Sequence, residues 1–351
     1  MSVATGHRRH HSFPAWRAGR GVRRARCLAP GVCLFAATIA VGTSLTLVAP
    51  QARADDVRGA PVLQVGPGLR FERPSQAAKA APDGAVVEIH GSDYEGDVAV
   101  WRQDDLTLRG VGARPHLRAG GRAAEGKAIW VIKGDRVTVE NLEFSGARVP
   151  SHNGAAIRAE GTDLTIRNCR LHHNEMGLLT NPNPRSQVVI EGSEIDHNTT
   201  DTERHGKLGH NLYVHRVRRF VLRDSHVHGA RGGHQVKTRA RTNEIRDNRI
   251  LDGDGAGSYL LDIAEGGDAA VTGNRFQQGA RAPNRTAVSF AAEARDKDSR
   301  RHRLRVEGND FTNEGGAATF VRNHSGASVV LSGNRLPERG VTPLRGPGRL
   351  E

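Results

Sequence analysis

Between Val137 and Leu336 one short pattern of apolar and polar positions recurs eight times, apolar-x-apolar-x-[Asn/Gly/Asp]-x-x-apolar. It reads VTVENLEF at Val137, LTIRNCRL at Leu164, VVIEGSEI at Val188 and FVLRDSHV at Phe220. It continues as NEIRDNRI at Asn243, AAVTGNRF at Ala269, LRVEGNDF at Leu304 and VVLSGNRL at Val329. Successive copies start 23 to 35 residues apart, about 27 on average. Alternation with period two marks strands with one buried face. The Asn, Gly or Asp suits a sharp turn, because these residues tolerate left-handed backbone. A repeat of this size means stacked coils, none able to bury its apolar face alone.

A further strand follows in each coil after a variable stretch: AAIRAE at Ala155, GLLTN at Gly177, NLYVHR at Asn211 and QVKTR at Gln235. YLLDIA at Tyr259, AVSFAAE at Ala287 and ATFVRN at Ala318 complete the series. Two or three short strands per coil predict an all-β fold, a single-stranded right-handed parallel β-helix of eight to ten coils. At ~4.8 Å per coil the rod would be about 40–50 Å long. A leucine-rich horseshoe needs helical segments and a leucine spacing that are not here. Ser75 to Ala81 reads as a short capping helix with Ser75 as N-cap, stopped by Pro82-Asp83-Gly84. It would plug the end of the solenoid, where bare strand edges recruit other chains. The β-helix domain is expected over 55–336. Residues 337–351, rich in Pro, Gly and Arg, are expected as a flexible C-terminal tail. Two insertions, Asn198–Gly209 and Ala294–Arg303, are expected to frame a groove.

The N-terminus changes the charge picture. A basic segment without acids, an apolar run from Leu34 to Val48 and Ala52-Arg53-Ala54 read as a signal peptide over 1–54. Export to the periplasm or medium is expected. That segment carries eight arginines, so the net charge of the remainder is +5 rather than +13. A mildly basic exported body suits an anionic polymer and gives no reason to expect nucleic acid. No membrane contact is expected after cleavage, and a monomer is expected. Only Cys169 remains of three cysteines, which excludes an internal disulfide.

Aligning the later strands by their inward residues (Ile157, Leu178, Leu212, Val236, Leu261) yields two outward columns. One holds Arg158, Leu179, Tyr213, Lys237 and Asp262; the other holds Glu160, Asn181, His215, Arg239 and Ala264. On a solvent-facing groove floor these residues suit an acidic polysaccharide. β-Elimination of a uronate needs its carboxylate neutralised, its C5 proton removed and its leaving oxygen protonated. Lys237, Tyr213 and His215 are the candidate catalytic groups. Arg158, Glu160, Arg239 and Asp262 are the candidate substrate-binding groups. Lys237 would be tuned downward by Arg239 and Arg158. The polygalacturonase NTD pattern and the DPHD motif of mannuronan epimerases are both absent.

Histidines at His172-His173, His197 and His226-x-His228 invite a metal reading, with His173 and His197 stacked in register. Polar corner residues account for them as well, so no metal is assigned. Asp252-Gly-Asp254 makes Ca²⁺ a candidate cofactor.

Taken together, the repeat and the N-terminal helix resemble the pectate lyase-like superfamily of secreted right-handed β-helix proteins. More narrowly, QVKTRARTNEIRDNRI and SYLLDIAEGGDAAVTGNRF resemble the alginate lyase and chondroitinase B family. That resemblance implies a base role for Lys237, with Thr238 in place of the family's Ser. The family's Arg-His is missing near Asp262–Ala264, so Arg239, His215 or Tyr213 would substitute. The expectation is a lyase for an acidic, uronate-containing polysaccharide. The alternative is a non-catalytic glycan-binding or cell-envelope structural β-helix protein.

Overall fold

The computed structural model describes residues 59–351. The signal-peptide expectation lies outside the described residues. Each repeat coils once through three parallel sheets, of twelve, nine and ten strands. The first sheet takes the opening half of the repeat pattern, for example Val137–Glu140. The second takes its closing half, Glu143–Ser145. The third takes the later strand, Ala155–Ala159. Nine coils carry all three strands, within the expected range.

The turn position of the pattern is left-handed in all eight copies, with φ from 47° at Asn168 to 64° at Gly273. That bend carries the chain from the first sheet into the second. Sequence spacing also predicts the register. Ile157 opposes Leu178, which opposes Leu212, then Val236 and Leu261. All five are buried, each contributing roughly 1.5–3 kcal/mol through apolar burial. The residue after the turn adds something the pattern leaves as "x". Asn248 donates its side-chain N–H to Asn274 (2.9 Å), Asn274 to Asn309 (3.0 Å) and Asn309 to Asn334 (2.9 Å). Stacking equal turns places each amide against the next, so these buried polar groups satisfy one another.

The helix forms at Pro74–Ala80 and lies against Ala99–Trp101, the first strand of the third sheet. It caps that open edge, as expected. Its N-cap is Arg73 rather than Ser75, because Pro74 takes the first helical position, where no N–H is needed. The buried Asp97 carboxylate accepts the Ser75 N–H (3.0 Å), from the neighbouring coil.

The C-terminal expectation is corrected. Val341–Arg345 pairs with Ala318–Asn323, and Gly348–Leu350 pairs with Val329–Ser332. Residues 337–351 therefore extend the solenoid. Pro343 conceals this in the sequence, but it sits on the last strand of its sheet, where a missing N–H is tolerated. Among the described residues no helix is long and apolar enough to cross a membrane.

Candidate functional site

The two outward columns of the third sheet form as the register predicts. Tyr213 opposes Lys237, and Lys237 opposes Asp262. Lys237 is only 7% exposed and Asp262 2%, so the expected solvent-facing cluster is instead buried. Glu293, from the chain just beyond the Thr286–Phe290 strand, closes over it. The Lys237 Nζ donates to Asp262 Oδ2 (2.8 Å) and to Glu293 Oε1 (2.6 Å).

These contacts correct the electrostatic expectation for Lys237. Burial pushes the ammonium down, but Asp262 and Glu293 outweigh it and hold the group above its ordinary value. Lys237 is therefore a fixed cation and not a ready base. Asp262 is pushed up by burial, against the pull of Lys237. Its Oδ1, together with Ser289 Oγ and His324 Nε2, is buried without a hydrogen-bond partner.

Arg239 organises the adjoining column. Its Nε donates to the Tyr213 hydroxyl (2.9 Å), and its other nitrogens pair with Glu265 (2.8 Å) and with Glu293. Arg216 also pairs with Glu265 (2.8 Å). The rings of Tyr213 and His215, two residues apart on one face, are stacked with centroids 5.7 Å apart. His215 Nδ1 accepts the Arg216 backbone N–H (2.9 Å), which leaves Nε2 to carry the proton of the neutral ring. Burial, then the Arg239 charge, lowers the pKa of His215 and favours that neutral form.

Behind Lys237 lies a stack of buried rings, His210 and His234 with Tyr259 beyond. His210 Nδ1 accepts the His234 N–H (2.9 Å), and His234 Nδ1 accepts the Tyr259 N–H (3.2 Å). Each ring must be neutral to accept. Burial and the Lys237 charge lower His234 to about 3.

Arg158 and Glu160 are set apart from this cluster. Arg158 opposes Leu179, which opposes Tyr213, so one coil intervenes. Arg158 binds Asn181 (2.6 Å), and Glu160 binds Lys127 (2.8 Å). The residues that sequence reasoning missed are Glu265, Glu293, Arg216, His210 and His234. A signal for the acids exists: Ala-Glu recurs at strand ends in RAE, IAE and AAE. The histidines belong to a third position of the same strands, outside the two columns considered.

Beyond Arg239 opens a cleft of about 580 Å³ whose lining includes Arg216, Arg218, Arg239, Arg241, Arg295 and Arg301. The Ala294–Arg303 insertion supplies one wall, as expected of a loop leaving a solenoid. The Asn198–Gly209 insertion carries a short helix, Thr202–His205, and its His205 ring stacks on His152 at 3.5 Å.

For calcium, Asp252 and Asp254 diverge. Asp252 is buried and joins an internal ladder, accepting from Gln235 (3.1 Å) and from the Gly279 N–H (3.0 Å). Asp254 faces out and binds His197 (3.0 Å). The pair does not form one cage, because the turn that follows the Arg249–Leu251 strand, left-handed at Gly253, leaves one carboxylate buried and the other exposed. His173 and His197 stack at 5.2 Å, as the register predicts.

Residues 122–263 match the family model described as right handed beta helix region. No curated protein matches the chain, and no solved structure does. The match and the parallel sheets make this an all-β parallel β-helix protein, a fold that suits polysaccharide-active and structural proteins generally.

Proposed function

We propose that the third-sheet face binds an acidic, uronate-containing polysaccharide and cleaves it by β-elimination. The observation that carries this reading is the Tyr213–His215 stack, with the Arg239 guanidinium donating to the Tyr213 hydroxyl. Tyr213, its hydroxyl accepting from the Arg239 guanidinium, acts as the base at C5. The Nε2–H of His215 protonates the leaving C4 oxygen as the C4–O bond breaks. Both groups project from one face of one strand, so proton removal and delivery occur on the same side of the sugar ring. The arginines of the adjoining cleft hold the uronate carboxylates, with Arg158 further along the face. Lys237 and Asp262 brace the floor from below. In this reading the polymer is met outside the cytoplasm, after removal of residues 1–54.

One observation favours the second reading, a glycan-binding module without chemistry. Both cations of the cluster, Lys237 and Arg239, already have carboxylate partners inside the chain. The test is ultraviolet absorbance of unsaturated uronate during incubation with a panel of acidic polysaccharides, with and without calcium. The lyase reading expects product formation and a loss of about 10²–10⁴-fold in Tyr213→Phe with unchanged circular dichroism. Binding to the same polymers with no product would establish the module instead.

A further inference from the structure

The second sheet turns a different set of side chains outward. Glu194 and His226 oppose each other on successive coils, and His228 follows two residues after His226 on the same face. Ligand-type atoms of these three residues all lie within 4.8 Å of one another. We infer that Glu194, His226 and His228 form a binding site for a divalent transition-metal ion of the zinc type. This site is separate from the polysaccharide reading, which concerns the third sheet.

The separations suit one ion. With metal–ligand bonds of about 2.0–2.1 Å, the edge of a tetrahedron is roughly 3.3–3.4 Å. Glu194 Oε1 lies 3.2 Å from His228 Nε2 and 3.9 Å from His226 Nδ1, on either side of that value. Two imidazoles and one carboxylate are a borderline N/O set, which favours zinc, nickel or copper over calcium or magnesium.

The rings are little used by the chain itself. They stack on each other at 4.1 Å, and Glu194 is the only carboxylate paired with either among the described residues. His226 Nε2 is buried and has no hydrogen-bond partner. Two cations stand near. Arg170 Nε lies 3.5 Å from Glu194 Oε2, but it is held closer by Asp196 at 3.0 Å. Arg249, opposite His226 on the next coil, is exposed. A shallow groove of about 600 Å³ passes Glu194 and His226, giving solvent access to an open fourth position.

Two other histidine–carboxylate groups on this sheet carry competing contacts. In one, both ring nitrogens of His116 are engaged from outside the group, by Arg118 (3.1 Å) and by the Ser145 hydroxyl (2.8 Å). In the other, both Asp196 oxygens are taken, by Arg170 (3.0 Å) and by His197 (2.7 Å). The Glu194 group is the least committed of the three.

The test is calorimetric titration of untagged protein, freed of metal by chelation, with zinc chloride at neutral pH. One ion per chain is expected. His226→Ala and His228→Ala should each weaken binding by about a hundredfold or more, while His172→Ala leaves it unchanged. Cobalt(II) in place of zinc should give visible absorption that disappears in the same two variants. Because these side chains face solvent, the variants should keep the circular dichroism of the parent. Absence of binding, or binding that survives the His226→Ala/His228→Ala double variant, would overturn the inference. So would loss of binding in His172→Ala alone. None of these outcomes depends on whether the protein cleaves a polysaccharide.

Discussion

The outward faces of the third and second sheets are built by the same coils, yet they treat charge differently. On the third sheet Lys237 and Arg239 are enclosed by Asp262, Glu265 and Glu293, and neutral histidines pack behind them. On the second sheet Glu194, His226 and His228 remain partly open, and Glu194 is the only carboxylate paired with either ring among the described residues. Glu293, just before the Ala294–Arg303 insertion, explains much of the contrast, since it reaches back over two coils to both cations. The Asn198–Gly209 insertion leaves the second sheet after the Glu194–Asp196 strand, but among the described residues it pairs no carboxylate with His226 or His228. Enclosure turns a charged column into a rigid floor, whereas openness leaves ligand atoms free for something from solution.

The sharpest way to break this contrast is to remove a partner on each face. Asp262→Ala strands a buried ammonium with a single carboxylate and should cost about 3–5 kcal/mol, read from urea unfolding. A cost under about 1 kcal/mol would mean that the floor is not enclosed in solution.

Acid provides the next largest effect. The folded pKa of His234 lies near 3, below its unfolded value of 6.5, so between these values the unfolded chain binds more protons. The stability it contributes is present above pH 6.5 and is lost as the pH falls towards 3. At pH 5 the loss from this ring is about 2 kcal/mol. His234→Gln, which keeps an acceptor but cannot take the proton, should flatten the acid limb of a stability–pH curve by that amount. An unchanged limb would place the acid sensitivity elsewhere.

The smallest effect is expected on the second sheet. Without metal, Glu194→Ala should change stability by no more than about 0.5 kcal/mol, because its side chain is 38% exposed and its ion pairs are screened. A thermal shift with zinc in the parent, absent in this variant, would sharpen the distinction between a floor and a site.

Much of this architecture is legible in the sequence, for a simple reason. A solenoid repeats one local problem, so the period of apolar residues determines strands, turns and register together. The left-handed Asn, Gly and Asp of the repeat, the inward column from Ile157 to Leu261 and the outward column through Tyr213, Lys237 and Asp262 all follow from that period. Composition and the tail were less informative, because Pro343 and neighbouring glycines mask a strand whose partner lies one coil earlier.

Only the tertiary structure decided the chemistry. Whether Lys237 lies above or below its ordinary pKa depends on which acid reaches it. That acid is Glu293, 56 residues along the chain, at the end of a strand two coils away. The fate of Asp252 and Asp254, and the meeting of Glu194 with His226 and His228, likewise depend on where each corner turns. Periodicity fixes which face a residue occupies, but charge acts over a few ångströms through space, and only the folded coils set those distances.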